Sequence, residues 1–158
     1  MDIKLEKVSI DKKDILYKLL QYSLFEESAT DFNELNEYAE FEYKWFDNYF
    51  IDEERYAYFI KSDEKLLGFV MVNNYLENDK IKDGHSIAEF MVIPKYRRNK
   101  IGKKVAIEVF DKFKGYWEVK PSLGSESAYM FWENVIKEYT ENINTTFEFE
   151  EGLFSFYN

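Results

Sequence analysis

From Val92 to Lys104 the chain reads Val-Ile-Pro-Lys-Tyr-Arg-Arg-Asn-Lys-Ile-Gly-Lys-Lys, and few folds accommodate such a run. The apolar stretch His85 to Ile93 has the length of a strand and stops at Pro94, which cannot donate to a ladder. Beyond it Ile101, Val105, Ala106, Val109, Phe110 and Phe113 recur at the spacing of an amphipathic helix. A strand end, a basic turn and a helix start therefore follow one another directly. The first N–H groups of a helix lack internal partners and lie at the positive end of its dipole. Such a junction cradles an anion, with amides sized for phosphate oxygens. Arg97, Arg98, Lys100, Lys103 and Lys104 crowd this end, flanking Asn99 and Ile101. A helix start favours acidic residues, so these cations are unfavourable there unless an anion offsets them. Gly102 leaves the backbone bare for a ligand's close approach. Charge alone is equally compatible with an ordinary solvated turn.

With 158 residues the chain has the size of one domain, taken as residues 1–158, and 46% hydrophobic content is enough for a sizeable core. Without cysteine there is neither a disulfide nor a thiolate nucleophile or metal site, and no metal is expected. The opening Met1-Asp2-Ile3-Lys4-Leu5-Glu6 is too charged for a signal peptide, and no apolar run reaches the roughly 18 residues of a membrane span. A soluble, cytoplasmic protein that engages no membrane is the expectation. A formal net charge of −10 argues against nucleic acid as a partner, since phosphate backbones need a basic surface. The same charge suits a cationic substrate such as an amine, and it also serves solubility.

Ile3 to Val8 alternates as a half-buried strand. Asp11 is placed to cap a helix running to about Ser28, with Ile15, Leu16, Leu19, Leu20 and Leu24 on one face. Residues 30–52 mix aromatic and acidic side chains without clear periodicity. Arg55 to Ile60 and Lys65 to Asn74 read as two strands joined at Ser62-Asp63-Glu64, with Gly68 marking a bulge or a close backbone approach. After the His85 strand and its helix, Gly115 is a stop. Tyr116 to Val119 makes a short strand, and Ala128, Phe131, Trp132, Val135, Ile136 and Tyr139 form a helical stripe. Thr145 to Glu150 and Leu153 to Tyr157 form a closing hairpin around Gly152. The pattern specifies a mixed α/β, or α+β, class: one central, mostly antiparallel sheet with a parallel pair between the His85 and Tyr116 strands, flanked by helices.

Arg97-Arg98-Asn99-Lys100-Ile101-Gly102, after a strand ending near Val-x-Pro, resembles the Arg-x-x-Gly-x-Gly/Ala signature of the GNAT superfamily of N-acetyltransferases. Lys100 stands where the first glycine is usual. The resemblance implies the acyl-CoA N-acyltransferase fold and acetyl-CoA, or coenzyme A, as cofactor. Residues Arg97 to Lys103 would wrap the pyrophosphate, and the strand backbone at Met91 and Val92 would meet the pantetheine arm and polarise the thioester carbonyl. A left-handed Lys100 would cost about 1 kcal/mol or more. Ser125 to Trp132 is similar to a second family motif, Asn-x-x-Ala-x-x-Leu/Phe-Tyr. Ser125 replaces the asparagine there, and Trp132 replaces a tyrosine placed near the coenzyme sulfur. An indole N–H donates a hydrogen bond but is no practical acid, so Trp132 is read as a wall of the pantetheine channel or as core. Ala88-Glu89-Phe90 and Phe131-Trp132 also resemble a subgroup of predicted acetyltransferases.

An enzyme of this kind would move an acetyl group to an amine acceptor directly, in a ternary complex. The alternative is a non-catalytic acyl-CoA-binding or regulatory module. A lysine-like amine, with a pKa of about 10.4, needs a base. Glu89, on the strand leading into the turn, is the first candidate for that base or for a local ion pair. The lone histidine, His85, can titrate near neutrality but follows a turn sequence. The acceptor, a small molecule or a peptide, is expected to meet residues 30–52, and the chain is expected to be a monomer or homodimer.

Overall fold

The computed structural model describes residues 1–158. Seven strands form one sheet in the order β1-β2-β3-β4-β5-β7-β6. The strands are β1 (Lys4–Lys7), β2 (Tyr56–Ser62), β3 (Lys65–Asn73), β4 (His85–Val92), β5 (Tyr116–Val119), β6 (Phe147–Glu150) and β7 (Leu153–Tyr157). All neighbours are antiparallel except β4 and β5, the parallel pair expected from the helical crossover between them. The helices are α1 (Lys13–Glu27), α2 (Ile101–Lys112) and α3 (Glu126–Asn142), and none is long and apolar enough to cross a membrane.

The sheet has a cluster on each face. On one side α1 lays Leu16, Leu19, Leu20 and Leu24 against Phe59, Phe69 and Met71, with Phe41, Phe46 and Tyr49 closing the layer. On the other, α2 and α3 bury Val105, Phe110, Trp132 and Ile136 over Ile60, Val70 and Trp117. A fully buried leucine such as Leu16 contributes about 1.5–3 kcal/mol relative to exposure. Two details differ from the sequence expectation. Asp11 lies in a 3-10 turn, Ile10–Lys12, where Ser9 donates to its carboxylate, so it does not cap α1. Ile15 is 45% exposed, and Ser23 takes a buried place on the stripe instead. Residues 28–55 hold no helix or strand beyond a 3-10 turn at Asp47–Phe50. The closing hairpin turns at Glu151 and Gly152, both with positive φ, as a two-residue turn between twisted strands requires.

Two register shifts shape the middle of the sheet. Opposite β2, Lys61 pairs with Leu66 and Ile60 with Gly68, leaving Leu67 extra. Opposite β3, Met71 pairs with Glu89 and Val72 with Ile87, leaving Ala88 extra in β4. The second shift resets the alternation of β4. Ile87 and Phe90 are three apart, yet both pack on the α2–α3 side, whereas Ala88 and Met91 pack on the α1 side. A regular strand would put residues three apart on opposite faces.

Gly68 faces Val92 in the ladder, and a Cβ there would lie 2.0 Å from the carbonyl oxygen of Met91. The close approach anticipated from the sequence is therefore met by backbone, which cannot swing aside. Gly68→Ala should destabilise the fold by about 2–3 kcal/mol, read as a lower urea midpoint at unchanged m-value. A midpoint equal to that of the unaltered protein would contradict this packing.

Candidate functional site

The β4–β5 pairing covers only His85, Ser86 and Ile87, opposite Trp117, Glu118 and Val119. β5 then ends, with Pro121 shortly after it, while β4 continues to Val92. Five residues of β4, Ala88 to Val92, thus keep one edge unpaired in the middle of the sheet. The Ile93 N–H reaches the Leu67 carbonyl across β3 at 2.7 Å, which fixes the parity of the strand end. Met91, two residues earlier, directs its N–H and C=O toward β3 as well. Val92 and Phe90 direct theirs to the open edge. Of the two backbone amides expected at the thioester, the geometry leaves that of Val92 available and engages that of Met91 in the ladder.

At the end of this edge the chain turns into α2. Arg98 and Lys100 both adopt left-handed backbone, φ 66° and 61°, so the strained geometry expected for a non-glycine residue at 100 is present. The N–H groups of residues 98 to 103 have no backbone acceptor, and no side chain caps the helix. α2 has no acid in its first turn, where Lys103 and Lys104 stand. α3 behaves differently: Ser125 accepts from the Ala128 N–H at 3.2 Å, and Glu126 sits in the first turn. The same chain therefore applies ordinary capping to α3 and leaves the start of α2 open and cationic. An anionic diphosphate fits that chemistry.

Side chains around the turn divide in two. Arg97 faces away from the cradle: its Nε donates to the Val92 carbonyl at 2.7 Å, and both Nη atoms donate to Glu26 at 3.0 and 2.8 Å. Lys103 pairs with Glu138 on α3. Arg98, Lys100 and Lys104 make no ion pair, and Asn99 donates to the Tyr96 carbonyl at 3.4 Å. Ile101 is buried in the core. A Cβ on Gly102 would lie 3.0 Å from Phe131 of α3, so the bare Cα serves helix packing as well as any ligand. Ser125 is occupied as a cap. Trp132 is 6% exposed and packs edge-on against Phe90 and Phe131, which makes it core and a partition beneath the open edge.

Glu89 and His85 part company. Four residues apart, they would share a face of a regular strand; the extra residue at Ala88 separates them. His85 packs, tilted, between Phe113 and Trp117, with Nε2 3.2 Å from the Lys114 carbonyl. Glu89 instead opens into a cleft of about 340 Å³ on the α1 side, lined by Glu27, Tyr43, Asn73, Glu89, Lys120 and Pro121 among others. A second concavity of about 350 Å³, between Lys7, Tyr49 and Arg55, lies away from the open edge of β4.

The carboxyl of Glu89 accepts from the Tyr43 hydroxyl at 3.2 Å. Burial, and then the neighbouring charge of Glu27, push its pKa well above the usual carboxylate range, while the Tyr43 bond acts in the opposite direction. Burial and the nearby Asp31 likewise raise Glu27. Burial also raises both Tyr43 and Tyr49, keeping them neutral donors, and Tyr49 accepts from Asn73 at 3.2 Å. Neither Glu27 nor Glu89 has a cation within ion-pair distance. Two like carboxyls this close cannot both ionise freely, so the pair holds a proton or awaits a cation. Glu27 and Tyr43 carried no signal strong enough to single them out in the sequence. The one available hint is the pair Glu26-Glu27 at a helix C-terminus, where acids are disfavoured.

The description "Acetyltransferase (GNAT) family" belongs to a family model that matches residues 21–129. No curated protein sequence matches the chain. Among solved structures, an acetyltransferase from Thermus thermophilus superposes with a TM-score of 0.64 at 12% identity, over 100% of this chain and 98% of that one. The PaiA N-acetyltransferase from Thermoplasma acidophilum, in complex with coenzyme A, gives 0.66 at 16% identity over 100% of both chains. A predicted acetyltransferase from Clostridium acetobutylicum, with acetyl-CoA, gives 0.58 at 11% identity over 83% of this chain and 88% of that one. At such identities the superpositions establish the fold. With the family model spanning well over half of its length, the chain belongs to the GNAT family of acetyltransferases.

Proposed function

We propose that the chain is an N-acetyltransferase that moves an acetyl group from acetyl-CoA directly to an amine, a small molecule or a peptide, within a ternary complex. The observation that carries the reading is the position of Glu89, a carboxyl with a tyrosine donor but no cationic partner, beside the unpaired edge of β4 and on the face of a cleft. The open amides of residues 98 to 103, with Arg98, Lys100 and Lys104, would hold the diphosphate, and the open edge, with the Phe90 backbone and the Val92 N–H, would receive the pantetheine arm. Bound acetyl-CoA supplies the acetyl group as a thioester. The Val92 N–H points where it can polarise a carbonyl oxygen beside the edge. Phe90 of Ala88-Glu89-Phe90 packs against Phe131 and Trp132, so the two motifs that resemble the subgroup meet beneath this opening.

Glu27 and Glu89 receive a cationic amine, which supplies the positive charge the pair lacks. Glu89 then accepts the amine's proton, directly or through water, and its raised pKa makes it a better base than an ordinary glutamate. His85 has no part in this, since it lies on the other face of the sheet. Trp132 supplies no acid at the position where the family carries a tyrosine. That single feature favours the second reading, a module that binds acyl-CoA without turnover.

Thiol release from acetyl-CoA across a panel of primary amines distinguishes the two. Glu89→Gln should lower kcat by about 10²- to 10⁴-fold with acetyl-CoA affinity unchanged, and equal turnover would remove Glu89 from the chemistry. Activity should rise as pH climbs through the raised Glu89 pKa, and this limb should vanish in Glu89→Gln. The fold holds a proton on Glu89 that the unfolded chain releases at lower pH, so stability falls as pH rises between the two values. Glu89→Gln should therefore melt higher than the unaltered protein at pH 8, with the difference shrinking toward pH 4. Lys104→Glu should weaken coenzyme A binding by about tenfold or more with little change in melting temperature; unchanged affinity by calorimetry would refute the cradle.

A further inference from the structure

The last turn of α1 ends in Glu26 and Glu27 and carries no basic residue, although a helix C-terminus favours cations. The missing cation comes from the start of the cofactor turn. Arg97 closes a planar fork on both carboxylate oxygens of Glu26, at 3.0 and 2.8 Å, while its Nε holds the last carbonyl of β4 at 2.7 Å. One guanidinium thus ties α1, the end of β4 and the first residue of the turn together. A lysine, with one nitrogen on a flexible stem, cannot make these three directed bonds at once. Glu27 is the next residue along the same helix and lines the cleft with Glu89. No cation holds Glu27 there, so its placement depends on what anchors the helix end.

We propose that Glu26 and Arg97 act as a positioning pair: their fork fixes the last turn of α1 over β4 and sets Glu27 against Glu89 in the acceptor cleft. The cofactor turn and the amine site are thereby mechanically joined, through a residue whose backbone belongs to one and whose side chain serves the other. The proposal rests on the reading of the cleft as the acceptor site. It explains why Arg97 directs its charge away from the open amides while Arg98, Lys100 and Lys104 remain unpaired. Around Glu27 and Glu89 the titratable groups are Glu26 from α1, Asp31, Tyr43 and Tyr49 from residues 28–55, Tyr75 and Glu77 from the segment after β3, and Lys120 after β5, which is paired with Glu77. Ser23 and Asn73 supply the neutral polar contacts.

Two charge-conserving variants test the fork without altering local charge, Arg97→Lys and Glu26→Asp. The readout is the pH titration of the glutamate side-chain carboxyls by 13C NMR in the ligand-free protein, with assignments from Glu27→Gln and Glu89→Gln. In both variants the Glu89 midpoint should fall by about one pH unit or more, because Glu27 is no longer held against it. Dispersed amide spectra identify folded variants, and Glu26→Asp, which alters one exposed side chain by a methylene, carries the test should Arg97→Lys not fold. Titrations identical to that of the unaltered protein in a folded variant would overturn the proposal. Coenzyme A affinity, measured separately by calorimetry, tests the cofactor reading, so failure there leaves the carboxyl titration to stand or fall by itself.

Discussion

The extra residue in β4 governs the site. With Ala88 inserted against β3, Glu89 turns to the α1 face while Phe90 returns to the face of α2 and α3. Remove that shift and Glu89 would point into the aromatic cluster of Phe110, Trp117 and Trp132, where a carboxyl has no partner and no water. The shift occurs immediately after β5 ceases to pair. One local irregularity thus delivers a carboxyl to one side of the sheet at the place where the sheet also exposes unpaired backbone.

The opening itself follows from unequal strand lengths. β5 has four residues and β4 has eight, so a parallel pair that begins at His85 and Trp117 must run out before β4 does. Unpaired strand edges within a sheet are costly unless water or a ligand satisfies them. Here the edge leads directly to amides that also lack internal acceptors, so backbone donors continue from the strand into the first turn of α2. Trp132, Phe131 and Phe90 form an aromatic floor beneath it. Gly102 lets that floor approach the helix closely.

Much of this was legible in the residues. Alternation and helical spacing placed all seven strands and three helices, and the crossover rule placed the one parallel pair. The cationic start of α2 marked the turn whose amides lack internal acceptors, and Gly68 announced a backbone contact. The shift at Ala88 was not legible, because Ser86-Ile87-Ala88-Glu89-Phe90 contains neither the glycine nor the proline that usually signals one. In a regular strand His85 and Glu89 would share a face. Residues 28–55 were equally opaque: Phe41 and Tyr49 are buried while Phe32 and Tyr38 are exposed, a difference set by tertiary contacts with α1 and β3 rather than by any period. Arginines 97 and 98 are alike in sequence, and only the position of Glu26 in space tells them apart.

The left-handed Lys100 has a consequence for the free energy of folding. Conformations with positive φ are disfavoured for a lysine by about 1–2 kcal/mol, so the native fold carries that cost at the turn. A glycine in this place would relieve the strain but widen the range of conformations open to the unfolded chain. The lysine keeps a cation beside the open amides at the expense of a slightly shallower native well.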